Sequence, residues 1–364
     1  MFAGLRNACL GLLLACLVVA SARADAVRLG LRYTGDVIGV VSGGIRRGAG
    51  YEGRADLELD ADLAKLAGWH GTVLHASAYQ IHGYAVSENY LANLMTVSNI
   101  EAHPTTRLYA LWLEKALRGG ASLRAGQMGA DEEFLVSDTA SVFINGTFGW
   151  APIAAANLIH GGPGYPLAAP GVRLRLEPQA DTALLVAAFT AHPAGSDCVG
   201  APQLCDRYGT TFSTSGGTLW MSELQLAGGA YKLGGWYENG TFEDRRGNGG
   251  LYAIADRTLW RSDARALNGF VRVGAAPRHR SRVTSYVDAG LSYKGPFAGR
   301  PQDTLSLDAA HAQLSDGSES VVELTYRAPV TPHLALQPDL QYVRQGGTDI
   351  PNAWVVALRA SLRF

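Results

Sequence analysis

The stretch YEGRADLELDADL, Tyr51 to Leu63, alternates without a break. Its even positions are Glu52, Arg54, Asp56, Glu58, Asp60 and Asp62; its odd positions are Tyr51, Gly53, Ala55, Leu57, Leu59, Ala61 and Leu63. Successive side chains of a β-strand point to opposite faces, so this segment reads as a strand charged on one face and apolar on the other. The charged face requires water along its whole length. The apolar face requires something else.

The same period recurs along the chain. AWVVALRASLRF sets Trp354, Val356, Leu358, Ala360, Leu362 and Phe364 against Arg359, Ser361 and Arg363. GVRLRLEP sets Val172, Leu174 and Leu176 against Arg173, Arg175 and Glu177, and VVELTYRA sets Val322, Leu324 and Tyr326 against Glu323, Thr325 and Arg327. Such segments start near 28, 51, 72, 106, 120, 171, 182, 218, 230, 250, 266, 284, 303, 319, 333 and 353, which predicts about 16 strands. Turn signals such as LEPQADT, LAGGA, KGPFAGRPQD and APVTPH separate them. Most run about ten residues, the length of a tilted strand that crosses a hydrocarbon core.

A soluble β-sandwich also alternates, but it builds its core from large apolar side chains. Here the apolar faces mix Leu with Ala and Gly, the charges form dense columns, and no linker breaks the series. The fold class expected is therefore all-β: a closed antiparallel transmembrane β-barrel of about 16 strands in the bacterial outer membrane. Lipid offers no partner to an open strand edge, so spanning strands must close on themselves. A charged column is costly anywhere except beside an aqueous lumen, which predicts a hollow barrel.

Residues 1–24 read as a cleaved signal peptide, leaving 25–364 as the barrel domain. Arg6 supplies the positive region, ACLGLLLACLVVA the apolar one, and Ala22-Arg23-Ala24 the small-x-small cleavage site. LLAC, ending at Cys16, is a rival lipoprotein-type site, but the apolar run continues beyond it. Cleavage removes two of the 31 basic residues and none of the 32 acidic ones, so the net charge moves from −1 to −3. Nucleic acid is not an expected partner of such a chain. Export also makes a disulfide the natural state of Cys198 and Cys205, the two remaining cysteines.

Two aperiodic stretches interrupt the strands, from His82 to about Thr105 and from Asp131 to about Pro170. Loops this long are functional or disordered, and their apolar and aromatic content argues against disorder. At least one is expected to fold inward and narrow the pore.

At these loops the chain resembles the carbohydrate-selective outer-membrane porins of the OprB type. The matching segments are YTGDVIGVVSGGIRRGAGYEG, QIHGYAVSENYLANLMTVSNIEAHPTTRLYALWLE, FINGTFGWAP, GGPGYPLAAPGVRLR and TPHLALQPDLQYV. The resemblance implies a barrel of 16 strands through which monosaccharides such as glucose diffuse passively. Two features depart from the family: the Gly-Asp-Trp-Gly-Gly-Leu-Arg-like segment before the first strand is missing, and Ala110 stands where an acidic residue is expected.

A sugar presents hydroxyls at its rim and C–H groups on its faces, so a selective lumen needs charged or amide groups and an aromatic surface, held to weak binding. In TTRLYALWLE, Trp112 and Glu114 share a face with Leu108 and Ala110, while Tyr109, Leu111 and Leu113 fit the lipid face. The expected constriction comprises Arg54, Glu58, Arg107, Trp112, Glu114 and Arg124, with Glu101, Asp131 and Glu132 from the loops. Arg107 shares the parity of Tyr109 and Leu111, which places it at the membrane edge or in the loop. Tyr293, Tyr326, Tyr342 and Trp354 fit the lipid-facing aromatic girdles.

No cofactor or metal is expected. A monosaccharide and outer-membrane lipid are the expected partners, and porins of this size usually form homotrimers. The alternatives are a general diffusion pore and, less favoured, a barrel enzyme drawing on His70, His75, His82, His103 and Asp131.

Overall fold

The computed structural model describes residues 24–242 and 245–364. The predicted signal peptide therefore lies outside the described residues, apart from Ala24. Sixteen antiparallel strands form one closed barrel in which each pairs with its sequence neighbours and β1 pairs with β16. The first six are β1 (Val27–Ser42), β2 (Gly48–Asp62), β3 (Thr72–Gly83), β4 (Thr105–Ala116), β5 (Ala121–Met128) and β6 (Ala169–Gln179). Next come β7 (Thr182–Thr190), β8 (Thr218–Leu226), β9 (Tyr231–Phe242), β10 (Arg245–Ser262) and β11 (Arg265–Ala275). β12 (Val283–Lys294), β13 (Thr304–Leu314), β14 (Ser318–Pro329), β15 (Leu334–Gly346) and β16 (Ala353–Arg363) complete the wall. All sixteen coincide with the alternating segments. The largest offset is at β10, whose first turn of chain carries Gly247, Gly249 and Gly250 and so gives no side-chain pattern to read.

The outer face is the apolar one. Leu29, Leu31, Val37, Leu57, Leu111, Leu113, Val322, Leu324 and Leu358 are all exposed on it. Aromatic pairs mark its two rims: Tyr342 lies 4.9 Å from Trp354, and Trp260 lies 6.5 Å from Tyr293.

The inner face departs from the hollow lumen expected. Loops 84–104 and 129–168 both fold inward and pack apolar side chains inside the barrel. Val86, Leu91, Met95 and Val97 of the first join Phe134, Phe143, Phe148 and Ile153 of the second in one buried cluster. Inward residues of the wall, among them Ile38, Phe189, Ile254, Phe270, Val321 and Val355, complete it. The filled part of the interior thus resembles a soluble core.

Many lumenal charges hold these loops rather than face water. Glu52 on β2 accepts the backbone N–H of Val86 at 3.0 Å. Glu323 on β14 accepts those of Ile144 at 2.6 Å and Asn145 at 2.9 Å, and Glu223 on β8 accepts that of Leu135 at 2.9 Å. Arg272 on β11 pairs with Asp288 and donates to the carbonyls of Leu135 at 3.1 Å and Thr147 at 3.0 Å. Irregular backbone has no ladder of its own, so its buried N–H and C=O groups need side-chain partners. The acidic columns supply them.

A disulfide joins Cys198 to Cys205, with Cα atoms 5.6 Å apart. It lies in the third long loop, 191–217.

Candidate functional site

A β-bulge on β4 sets the geometry of the site. In the β3–β4 register Ser77 faces Ala110 and Ala78 faces Leu108, so Tyr109 is the extra residue. A bulge of this kind reverses side-chain parity along a strand. Arg107 and Tyr109 therefore point inward on odd numbers, and Ala110, Trp112 and Glu114 point inward on even ones. This corrects the assignment of Tyr109 to the lipid face: it is 2% exposed.

Against the β2–β4 wall the loops leave a cavity of about 470 Å³, inside the ~300–1,000 Å³ range of small-molecule sites. Arg54 and Tyr79 line it from the wall, Asn99 and Glu101 from loop 84–104, and Asp131, Glu132, Trp150 and Tyr165 from loop 129–168. Arg54 forms a bidentate pair with Asp56, at 2.6 and 2.9 Å. Its guanidinium lies 4.7 Å from the ring centroid of Tyr79 and equally 4.7 Å from that of Tyr165. Ion pair and rings together fix a plane of positive charge, and Asp56 takes two of its five N–H donors.

The loop carboxyls have distinct tasks. Asp131 accepts the Tyr109 hydroxyl at 2.7 Å and the Tyr165 backbone N–H at 2.8 Å, and burial pushes its pKa up. Glu101 accepts the N–H of Ser87 at 3.0 Å, tying loop 84–104 to itself; burial raises it too. Glu132 is exposed on the cavity but is ringed by the barrel. That burial, with the charge of Asp131 beside it, pushes its carboxyl up to about 8.

Trp112, Glu114 and Arg124 form a second cluster, nearer the end that carries the short turns. Trp112 is held between His75, stacked at 4.7 Å, and the Arg124 guanidinium at 3.8 Å. Both faces of its ring are taken, so it cannot serve as a sugar platform. Arg124 binds Glu114 at 2.8 Å, and Arg173 bridges Glu114 at 3.0 Å and Glu133 at 2.7 Å. Glu58 sits between the clusters, paired in register with Ser77, and its charge reaches Glu132.

Arg107 does not line the cavity. It is buried on the inward side of β4 and faces Asp206 of loop 191–217 at 3.5 Å. The structure thus brings Arg54, Glu101, Asp131 and Glu132 together, places Trp112, Glu114 and Arg124 below them, and sets Arg107 apart. His75 is inside the barrel on Asp60, while His82 bonds Tyr33 on the outer face, so these two histidines share no site.

Sequence reading overlooked Tyr79, Trp150, Tyr165 and Arg173. Tyr79 and Arg173 stand on inward parities and were readable from the alternation. Trp150 and Tyr165 come from aperiodic loop, where no parity exists. Trp150 brings an indole ring to the cavity: its Nε1 donates to the Gly161 carbonyl at 2.9 Å, and Gly164 lets the backbone approach one side of the ring.

Known proteins share this architecture. The profile of the carbohydrate-selective porin, OprB family, matches residues 46–364. Porin B of Pseudomonas aeruginosa is 23% identical over 408 residues, covering 92% of this chain and 87% of that protein. The high-pH structure of Pseudomonas putida OprB superposes with a TM-score of 0.83 at 20% identity, covering 93% of this chain and 94% of that one. An anion-selective porin from Comamonas acidovorans shares the barrel at a TM-score of 0.60 and 12% identity, over 93% of this chain and 99% of that one. With its family profile matched over most of its length, this chain belongs to the carbohydrate-selective porins of the OprB family.

Proposed function

We propose that monosaccharides of glucose size cross the outer membrane through this barrel passively, pausing in the cavity between Arg54 and Trp150. The observation that carries the reading is the clamping of Arg54 by Asp56, Tyr79 and Tyr165. An arginine fixed in this way presents its remaining donors to passing hydroxyls without paying the entropy of ordering a free side chain. Glu132 supplies an acceptor, and the face of Trp150 suits the C–H side of a pyranose. Weak, few-contact binding allows release to the periplasm.

The favoured alternative within transport is a general diffusion pore, for which the same charges merely keep the path wet. Uptake of labelled glucose into proteoliposomes separates the two. Saturable uptake that unlabelled glucose competes supports a sugar site; linear uptake without competition supports a general pore. The apolar outer face is read as the surface that meets outer-membrane lipid. Homotrimer formation and cleavage after Ala24 are proposals from size and sequence, tested by the mass of the assembly and of the mature chain.

A further inference from the structure

β5 ends at Met128, and only Leu111 to Ala116 of β4 pair with it. The opposite end of that edge of β4, from Thr105 to Ala110, has no strand beside it. Loop 191–217 fills the gap. The backbone N–H of Leu108 donates to Tyr208 O at 3.0 Å, the Thr105 hydroxyl to Arg207 O at 2.8 Å, and Gln127 Nε2 to Gly209 O at 2.9 Å. Approach is so close that a Cβ at Gly209 would sit 1.8 Å from Leu108 O. Asp206, 3% exposed, gathers the turn by accepting the N–H groups of Thr210 and Thr211 and the Thr211 hydroxyl at 2.7 Å.

This edge contact, with the Cys198–Cys205 bond behind it, places the short helix Pro202–Cys205 over the wall and Gln203 in the lining of the sugar cavity. The backbone N–H of His103 lies 2.8 Å from the Gln203 side-chain oxygen. A backbone N–H can only donate, so this contact fixes the orientation of the amide. Nε2 bonds no other group among the described residues, which leaves both its donors for the cavity. Three of the charged groups there are more heavily committed, Arg54 to Asp56, Asp131 to Tyr109 and Tyr165, and Glu101 to Ser87, and Glu132 offers an acceptor rather than a donor.

We infer that Gln203 is a selectivity determinant of the channel, donating from Nε2 to a sugar hydroxyl, and that the disulfide-closed turn holds it in place. The inference rests on the reading of this cavity as the sugar site. A neutral amide anchored at one end suits the task, because one uncharged hydrogen bond adds discrimination without trapping the solute.

The test is block of ion current by glucose and by a series of monodeoxyglucoses, in planar bilayers, with wild type and Gln203→Ala. The half-blocking glucose concentration should rise about three- to tenfold in the variant, with open-channel conductance unchanged. One deoxy analogue should block wild type more weakly than glucose does but block the variant as well as glucose does. Unchanged glucose block in Gln203→Ala, or an equal loss for every analogue, overturns the inference. Wild-type current that no sugar blocks overturns the sugar-cavity reading and this inference with it. Gln203→Met, which keeps the side-chain length, repeats the test if the alanine variant does not assemble.

Discussion

The carboxyl group of Glu319, on β14, holds the backbone N–H of Met95 at 2.6 Å across the lumen, and that of Leu94 at 2.8 Å. A strand residue thus fastens a loop that leaves the wall eleven strands earlier in the chain. Glu319→Ala leaves two N–H groups without their acceptor and should cost roughly 2–4 kcal/mol. Released from the wall, loop 84–104 should obstruct less of the lumen, so single-channel conductance should rise. Glu319→Gln keeps one acceptor oxygen and should fall between the two. Wild-type conductance in Glu319→Ala would mean that the loop is held elsewhere.

Arg54→Lys keeps the positive charge and loses the planar fork that Asp56, Tyr79 and Tyr165 clamp. Lysine cannot reproduce the bidentate pair or the stacking. Glucose should block the channel about tenfold less well, a loss of roughly 1.4 kcal/mol, while ion conductance changes little. Equal block by glucose in the two proteins would remove Arg54 from the site.

Two tryptophans should behave differently. Trp150→Ala removes the indole ring that lines the cavity and should weaken glucose block by several-fold. Trp112→Ala removes a ring already covered on both faces by His75 and Arg124. Its loss should lower unfolding stability by roughly 3 kcal/mol and leave glucose block nearly intact. The reverse ranking in current-block titrations would exchange their roles.

Glu132 should impose a pH dependence on ion selectivity. With its carboxyl pushed up to about 8, it is protonated at neutral pH and ionises as the pH rises through that value. Ionisation adds a negative charge to the cavity, so cation preference should increase between about pH 7 and 9, read from reversal potentials. The same raised value means that the folded channel binds this proton more tightly than the unfolded chain does. Its contribution to stability is therefore greatest at low pH and declines as the pH climbs toward 8. Glu132→Gln should abolish the selectivity step; a step of the same size in the variant would assign it to another group.

The barrel was legible because a strand between lipid and lumen writes its two faces into alternate residues, as Tyr51 to Leu63 does. The use of the charges was not. Glu52, Glu319 and Glu323 look alike from the sequence, yet each is spent on loop backbone from a distant part of the chain. On β4 the single extra residue at Tyr109 reversed the parity and hid both Tyr109 and Arg107. Tyr165, Trp150 and Gln203 lie in loops without period, and only the folded arrangement brings them to Arg54. Glu101, Asp131 and Glu132 do line the cavity, but Glu133 of the same loop is held by Arg173 instead, so acidic character alone did not mark which loop carboxyls would reach it.

The most direct test of the account is single-channel conductance of the refolded protein in a planar bilayer, titrated with glucose and with gluconate as a charged solute of similar size. The account predicts saturable block by glucose, weakened in Arg54→Lys, and no comparable block by gluconate. A steady conductance that ignores glucose would contradict it and leave a general pore.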